Sequence, residues 1–169
     1  MRARLGLLAL ATALTLTACG SSDSGSTSDT VDAVESTAAA TAADFGSPLD
    51  LGSGVSVTIS APATFTPGDF ASNYLPGQTA DLFTIDVKND GTAALDLSTV
   101  VFAATADGIS CVDVLDGDND INGAPTDPVA AGGSVSFKYA IACDAKAGAA
   151  LQLGVTFGDT NAALDGKLA

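Results

Sequence analysis

The sequence predicts an all-β fold, an antiparallel β-sandwich of about seven or eight strands. From about residue 45 onward, apolar and polar residues alternate with a period of two, as in strands that bury one face. Turn-forming Asn-Asp-Gly, Asp-Gly and Gly-Gly sequences separate the alternating runs. No stretch of this region has the periodicity of an amphipathic helix, so we expect the folded part to consist of strands and loops.

Four alternating runs predict strands most clearly, and three shorter apolar runs predict weaker ones. The clear runs are residues 55–59, 83–88, 135–143 and 151–157. The weaker runs are residues 95–97, 100–104 and 109–114. After the first clear run comes a long loop, residues 64–76, which contains Phe65, Phe70 and Tyr74. Aromatic side chains in such a loop either plug one end of a sandwich or present a binding edge, and we expect plugging here.

The first nineteen residues form a segment of a different kind. A head with two arginines precedes an apolar run over residues 5–16, and small residues then lead into a cysteine. This is the layout of a secretory signal peptide. The sequence Leu16-Thr17-Ala18-Cys19 resembles the lipobox of bacterial lipoproteins. The resemblance implies that residues 1–18 are removed, that the Cys19 thiol receives a diacylglycerol, and that the lipid holds the protein on the extracytoplasmic face of the cell membrane.

The next segment, residues 19–44, is predicted to be a disordered tether that follows the lipidated cysteine. Residues 20–29 are Ser, Gly, Thr and Asp and cannot bury apolar surface. Residues 31–43 are rich in alanine, but an isolated helix of that length is marginal in water. A flexible chain of this length spans about 25–30 Å. The folded domain is therefore expected to comprise residues 45–169.

Charge and composition exclude several classes of partner and site. After removal of residues 1–18, four lysines face twenty acidic residues, so the net side-chain charge is −16. Such a surface repels nucleic acid and anionic headgroups, and we expect neither as a direct partner. The sequence contains no histidine, and its one methionine is Met1. Ser-His-Asp and Cys-His catalysis are therefore excluded, as are zinc and copper sites that depend on histidine.

Two segments resemble the immunoglobulin-like domains of bacterial lipoproteins, which recur in actinobacterial envelope proteins. In residues 82–91 a strand is followed by Asn and a turn Gly, and in residues 128–137 a proline and glycines precede a strand. The resemblance covers about residues 50–160. It implies an immunoglobulin-like sandwich and supplies no active site. The antibody-type pattern with a core tryptophan does not apply, because the sequence has no tryptophan.

The domain contains two cysteines, Cys111 and Cys143. An even pair in an exported chain favours a disulfide, because the compartment is oxidising. Cys143 lies on the apolar face of its predicted strand. Cys111 shares a face with Ile109, although Val112 and Val114 lie on the opposite face. We expect an intramolecular disulfide that stabilises the domain by about 3.5 kcal/mol. The alternatives are two inert buried thiols and a redox-active pair, for which no Cys-x-x-Cys sequence is present.

An acidic loop is the one stretch that resembles a metal site. Aspartates at its first, third, fifth and twelfth positions follow the helix-loop-helix calcium pattern, and oxygen ligands suit Ca²⁺. The candidate ligands are Asp116, Asp118, Asp120, Asn122 and Asp127. The loop departs from the pattern because Ile121 stands where a glycine is needed, the twelfth position is Asp rather than Glu, and no helices flank it. A structural loop is the alternative, since Asp, Asn and Gly are common in turns.

These observations predict a protein that is not an enzyme and has no cofactor, unless the acidic loop binds calcium. We expect a membrane-anchored extracellular lipoprotein whose immunoglobulin-like domain binds or interacts with other molecules. Its contacts would be the membrane, through the lipid on Cys19, and an unidentified envelope protein or wall polymer. The alternatives are a calcium-binding structural component of the envelope and an accessory carbohydrate-active domain, which would need two converging carboxylates.

Overall fold

Alternating apolar residues form the strands of two β-sheets in residues 41–169, which are the residues that this computed structural model describes. One 3-10 turn, Gly117–Asn119, is the only helical element among them. The strands in chain order are β1 (Thr41–Ala43), β2 (Pro48–Gly52), β3 (Val55–Ile59), β4 (Ala63–Thr64), β5 (Thr79–Asn89), β6 (Val101–Ala106), β7 (Ile109–Ser110), β8 (Val112–Val114), β9 (Gly133–Cys143), β10 (Ala150–Phe157) and β11 (Thr160–Lys167). The predicted all-β fold is confirmed.

The sheet order is that of an immunoglobulin constant-type sandwich with added edge strands. One sheet has the order β1-β11-β10-β6-β7, and the other has the order β2-β3-β5-β9-β8, with β4 pairing to β5. The series β3-β5-β9-β8 and β6-β10-β11 correspond to the ABED and CFG sheets of that fold. All pairs are antiparallel except β1 with β11, which is parallel and departs from the predicted all-antiparallel arrangement.

The ordered sheet begins before residue 45, the predicted start of the domain. Strand β1 lies within the range assigned to the tether, and Thr41, Ala42 and Ala43 pair with Ala162–Leu164 of β11. Ala43 also packs against the hydrophobic core. Part of the alanine-rich segment therefore forms a strand instead of unstructured tether, because the open edge of β11 supplies hydrogen-bond partners that an isolated peptide lacks.

The core lies between the two sheets and rests on their central strands. β5 and β9 pair without interruption from Thr79↔Cys143 to Asn89↔Gly133. Phe83 and Ile85 of β5 are fully buried, and Leu153 of β10 faces them from the other sheet. Each such side chain contributes about 1.5–3 kcal/mol when it is removed from water. The strong alternating runs are thus the strands that carry the core.

The weaker predictions had mixed outcomes. Residues 95–97 form no strand, and Leu95 makes only an isolated bridge to Val129. The predicted strand 109–114 is divided at Cys111 into β7 and β8, which belong to different sheets. The last strand, β11, was not predicted because its residues have low β-propensity, yet Ala162 and Leu164 are buried in the core. The observed strands consequently outnumber the seven or eight predicted.

Candidate binding groove

The two sheets are open along one side, where the chain crosses from one sheet to the other. β7 ends the first sheet, and after Cys111 the chain enters the second sheet as β8. β7 pairs only with Thr105 and Ala106, so it covers only the last part of β6. The Cys111 N–H bonds to the Ala104 carbonyl, and within residues 41–169 no strand pairs with the remaining edge, residues 101–103 of β6.

A groove lies along this edge, and we call it the edge groove. Its larger part has a volume of about 770 Å³ and is lined by residues 102–105 of β6, residues 110–113, and the loop residues 73–75 with Gln78. Its smaller part, about 240 Å³, continues past Val114 and Leu115 to Ile121. Phe102 and Asp113 line both parts and join them. Because consecutive residues of β6 line the groove, it follows the edge of the strand rather than one of its faces.

Aromatic side chains form the floor of the edge groove. The rings of Phe102 and Tyr139 stack with their centroids 4.4 Å apart. The buried Tyr139 hydroxyl donates a hydrogen bond to Oδ1 of Asp113. Burial, followed by the hydrogen bond and the charge of Asp113, raises the pKa of Tyr139. The phenol therefore remains a protonated donor at physiological pH and holds the Asp113 carboxylate at the groove.

Large apolar side chains are exposed at the rim. Leu75 and Val101 line the groove and are 68% and 58% exposed. Val112 and Leu115 are also exposed and line it from the other side. Of the lining residues within 41–169, Asp113 is the only charged one. A concave, mostly apolar site with a few converging polar groups is the usual form of a binding site.

The aromatic loop does not plug an end of the sandwich as expected. Phe65 and Tyr74 pack against a small cluster that includes Ala140 and Ala142. These two alanines alternate on β9 with core residues such as Ile141, so the two aromatic side chains cover the outer face of the second sheet. Phe70 is 87% exposed and plugs nothing. Tyr74 also lines the edge groove, which places this loop at the candidate site.

The structure does not bring the five predicted calcium ligands together. Asp116 is buried, and its Oδ2 accepts hydrogen bonds from the Gly68 N–H, at 2.7 Å, and from Nδ2 of Asn119, at 2.8 Å. These bonds, the first of them above all, lower the pKa of Asp116. The other four candidate ligands are exposed: Asp118, Asp120, Asn122 and Asp127.

The carboxylates of the acidic loop are instead used by the protein or left in solvent. Asp120 lies 3.9 Å from Nζ of Lys138, which also donates to the carbonyl of Asn119. Among residues 41–169, no three aspartates or cysteines are close enough to share a metal ion. The sequence spacing matched a calcium loop, but Asp116 turns inward and fastens the loop to Gly68, so the ligand set does not converge.

The predicted disulfide is confirmed. Cys111 and Cys143 are bonded, with their Cα atoms 4.4 Å apart and a sequence separation of 32. The bond joins the β7–β8 connection to the end of β9, and Cys111 lines the edge groove. Such a bond is typical of proteins outside the cytoplasm.

The predicted signal peptide, Cys19 and most of the predicted tether lie outside the described residues. Within residues 41–169 no helix is long and apolar enough to cross a membrane.

Sequence reasoning did not find the edge groove. The sequence did contain one indication of it. Around Cys111 the apolar residues change from one face of the predicted strand to the other, with Ile109 on one face and Val112 and Val114 on the opposite face. A single strand cannot bury both faces at a sheet edge, so the break marks the change of sheet that opens the groove. Phe102 gave no such signal, because it lies within a run that reads as ordinary core.

Comparisons with known proteins support the fold. No protein-family model matches the chain, and no curated protein has significant sequence similarity to it. The chain is similar in structure to a candidate lipoprotein (ycdA) from Bacillus subtilis, with a TM-score of 0.53 and 16% identity. The match covers 68% of this chain and 37% of that one, so the chain matches little more than a third of the Bacillus protein.

The chain is also similar to an uncharacterised β-sandwich protein from Clostridium difficile 630, with a TM-score of 0.47 and 13% identity. This match covers 75% of this chain and 94% of that one. The likeness to the Bacillus protein, at 16% identity, concerns the fold alone.

Proposed function

We propose that this chain is a lipid-anchored lipoprotein on the extracytoplasmic face of the cell membrane, whose sandwich domain binds another component of the envelope and catalyses no reaction. The observation that carries the proposal is the edge groove. It is concave, apolar and open, and it carries exposed aliphatic side chains on both walls. Exposed apolar surface of this kind marks interaction sites in soluble domains.

Three observations support the location. The sequence before Cys19 has a lipobox, the domain carries a disulfide, and a protein of similar fold in Bacillus subtilis is itself a candidate lipoprotein. A diacylated cysteine anchors a protein far more firmly than a single acyl chain does. The finer assignment to the actinobacterial lipoprotein type belongs to this proposal and rests on the strand and turn segments described above.

Two features support binding rather than catalysis. The lining residues of the edge groove include one carboxylate, Asp113, and its partner is the Tyr139 phenol. A second carboxylate, which acid–base hydrolysis of a glycan would need, is not among the lining residues. The groove therefore suits recognition better than general acid–base chemistry.

The anchor is tested by metabolic labelling with a palmitate analogue in the native host or a close bacterial host. We expect the wild-type protein to carry the label in the membrane fraction and Cys19→Ser to lose it. A Cys111→Ser/Cys143→Ser variant is the control and should keep the label. Labelling that persists in Cys19→Ser would contradict a lipid on this residue.

The binding role is tested by photo-crosslinking in living cells. A photoreactive phenylalanine analogue at position 112 lies in the edge groove, and the same analogue at position 150 lies on an exposed strand residue outside it. We expect one envelope component, identified by mass spectrometry, to crosslink from position 112 and not from position 150. Equal crosslinking from both positions, or none from either, would count against a binding domain.

A further inference from the structure

As far as the described residues show, the first sheet has an unpaired strand edge inside the edge groove. β6 pairs with β10 along its whole length, from Val101 to Ala106. On its other side, β7 pairs only with Thr105 and Ala106, and the N–H of Cys111 donates to the Ala104 carbonyl at 2.9 Å. Main-chain groups of alternate residues point to the same side of an antiparallel strand. The N–H and C=O of Phe102, two residues before Ala104, therefore face the groove.

The opposite wall offers no such edge. β8 pairs with β9 on one side. On its other side, Nδ2 of Asn73 donates to the Asp113 carbonyl at 3.1 Å, and the Ser72 N–H donates to the Leu115 carbonyl at 2.8 Å. The loop before β5 thus covers the β8 edge. Of the two strands that border the groove, β6 is the one that can accept another strand.

Charge limits the chemistry of the ligand. The described residues contain sixteen aspartates and four lysines, a net side-chain charge of −12. None of the lysines lines the groove, and Asp113 lies in it. An acidic surface attracts cationic segments and repels acidic ones, including a second copy of this chain.

We propose that the edge groove binds an extended peptide segment with alternating aliphatic and basic residues, which adds as a strand to β6. The main-chain groups of Phe102 supply hydrogen bonds, and the aliphatic side chains contact Val101 on the outer face of the first sheet. The basic side chains point toward the other sheet, where Asp113 lies. Addition of a strand to an open sheet edge is a common mode of peptide recognition. This inference rests on the proposed binding role and adds the ligand class and the docking mode.

The test uses the mature lipidated protein in nanodiscs of neutral phosphatidylcholine and a fluorescein-labelled peptide, Lys-Val-Lys-Val-Lys-Val-Lys, followed by fluorescence anisotropy. We expect saturable binding that weakens with salt, and no binding of the Glu-Val counterpart. Two further peptides carry N-methyl groups on alternate amides: one peptide on its lysine amides, the other on its valine amides. Only one of these two sets of amides faces β6. We therefore expect one N-methylated peptide to bind about tenfold or more weakly and the other to lose much less affinity.

Variants of the protein locate the peptide. Asp113→Asn should weaken binding by about two- to fivefold, and the exposed Asp127→Asn should leave it unchanged although it removes the same charge. Ala103→Lys, beside the open edge, should weaken binding much more than Ala150→Lys on an exposed strand position of the same sheet. Equal effects of both Asp variants would mean nonspecific attraction and would overturn the proposal.

Equal weakening of both N-methylated peptides, or of neither, would mean that no strand pairs with β6. The groove would then take a ligand of another kind, such as a wall polymer, and this inference would fail. Its failure is distinguishable from that of the proposed function. If crosslinking from position 112 succeeds and the peptide does not bind, only the ligand class is wrong. If the peptide binds and no envelope component crosslinks in cells, the proposed function is wrong.

Discussion

The two ends of β5 each bury a polar side chain, and they treat it differently. At one end Asn89 is buried, and its Nδ2 donates to the carbonyls of Ala93, Val129 and Ala130 while its Oδ1 accepts the Gly91 N–H. At the other end Asp81 is fully buried, and its Oδ2 accepts the Ala169 N–H at 2.9 Å. Its Oδ1 has no partner within the described residues.

The hydrogen bonds therefore fix the chain conformation more completely at the Asn89 end of β5 than at the Asp81 end. A buried polar group with all its hydrogen bonds fixes one arrangement of the chain, whereas an incompletely paired carboxylate costs free energy. The Asp81 end also carries the disulfide, since Thr79 pairs with Cys143, and the loop before Thr79 lines the edge groove. The end that borders the edge groove thus depends on a covalent bond, while the Asn89 end depends on hydrogen bonds.

Removal of the disulfide should have the largest effect. We expect Cys111→Ser/Cys143→Ser to lower the free energy of unfolding by about 3.5 kcal/mol, because the unfolded chain regains the freedom of a long loop. Denaturant unfolding measures this, and hydrogen exchange should rise in β7 and β8 more than in the loop that Asn89 holds. Reduction of the wild-type protein is the control and should reproduce both changes. Uniform exchange along the whole chain would contradict a local role.

The second effect is at Asn89. Asn89→Ala removes every hydrogen bond of this buried amide, so the carbonyl of Ala93 loses its Asn89 donor and the Gly91 N–H loses its acceptor. The Val129 carbonyl keeps the Leu95 N–H as a donor. We expect a loss of about 2–3 kcal/mol in the free energy of unfolding. Asn122→Ala, an exposed residue, is the control and should change stability by less than about 0.5 kcal/mol. If both variants unfold at the same denaturant concentration, the Asn89 network does not specify its end of the sandwich.

The third prediction concerns a substitution that should raise the free energy of unfolding, whereas the first two lower it. Burial raises the pKa of Asp81 above 3.8, and the Ala169 N–H lowers it in smaller part. A carboxyl that is less acidic in the native state favours folding when protonated, and this contribution is lost as pH rises from 3.8 through the raised native pKa. Asp81→Asn removes the charge and keeps the shape, so we expect it to stabilise the domain by about 1 kcal/mol at pH 7.

The pH dependence distinguishes this effect from a change in packing. The stability gained by Asp81→Asn should shrink as pH falls through the raised native pKa, and it should be absent well below 3.8, where the wild-type carboxyl is protonated in both states. Asp86→Asn, exposed on the same strand, is the control and should give no such gain. Denaturant unfolding at several pH values measures both. A loss of stability in Asp81→Asn at pH 7 would show that the charged form is needed.

The sequence predicted the parts of this molecule that depend on local patterns. Alternation located β3, β5, β9 and β10 because their core faces are strictly periodic. The disulfide followed from the cysteine count and the exported context. β11 and the edge groove were not predictable in this way. β11 consists mainly of small and polar residues, and Ala162 and Leu164 are buried because the core between the two sheets covers them. The groove depends on two strand edges that only the tertiary structure places side by side.

The smallest expected effect concerns calcium at the acidic loop. The carboxylate of Asp116 already accepts two hydrogen bonds, and no set of three aspartates converges in the described part of the chain. Binding of calcium would need to displace the Gly68 N–H from Asp116 and to reorder exposed side chains. We therefore expect thermal unfolding with millimolar calcium to match that at equal ionic strength of sodium chloride, within about 1 °C.

A calcium-specific rise of several degrees would contradict this expectation, because a ligand that binds only the folded state raises its stability. Asp118→Asn/Asp120→Asn would then decide where the ion binds. Loss of the rise would place it in the acidic loop and show that the loop reorganises around calcium. Retention of the rise would place it elsewhere on the acidic surface. In the first case the domain would gain a second ordered site beside Lys138 of β9, and the contrast between the two ends of β5 would then depend on the calcium concentration.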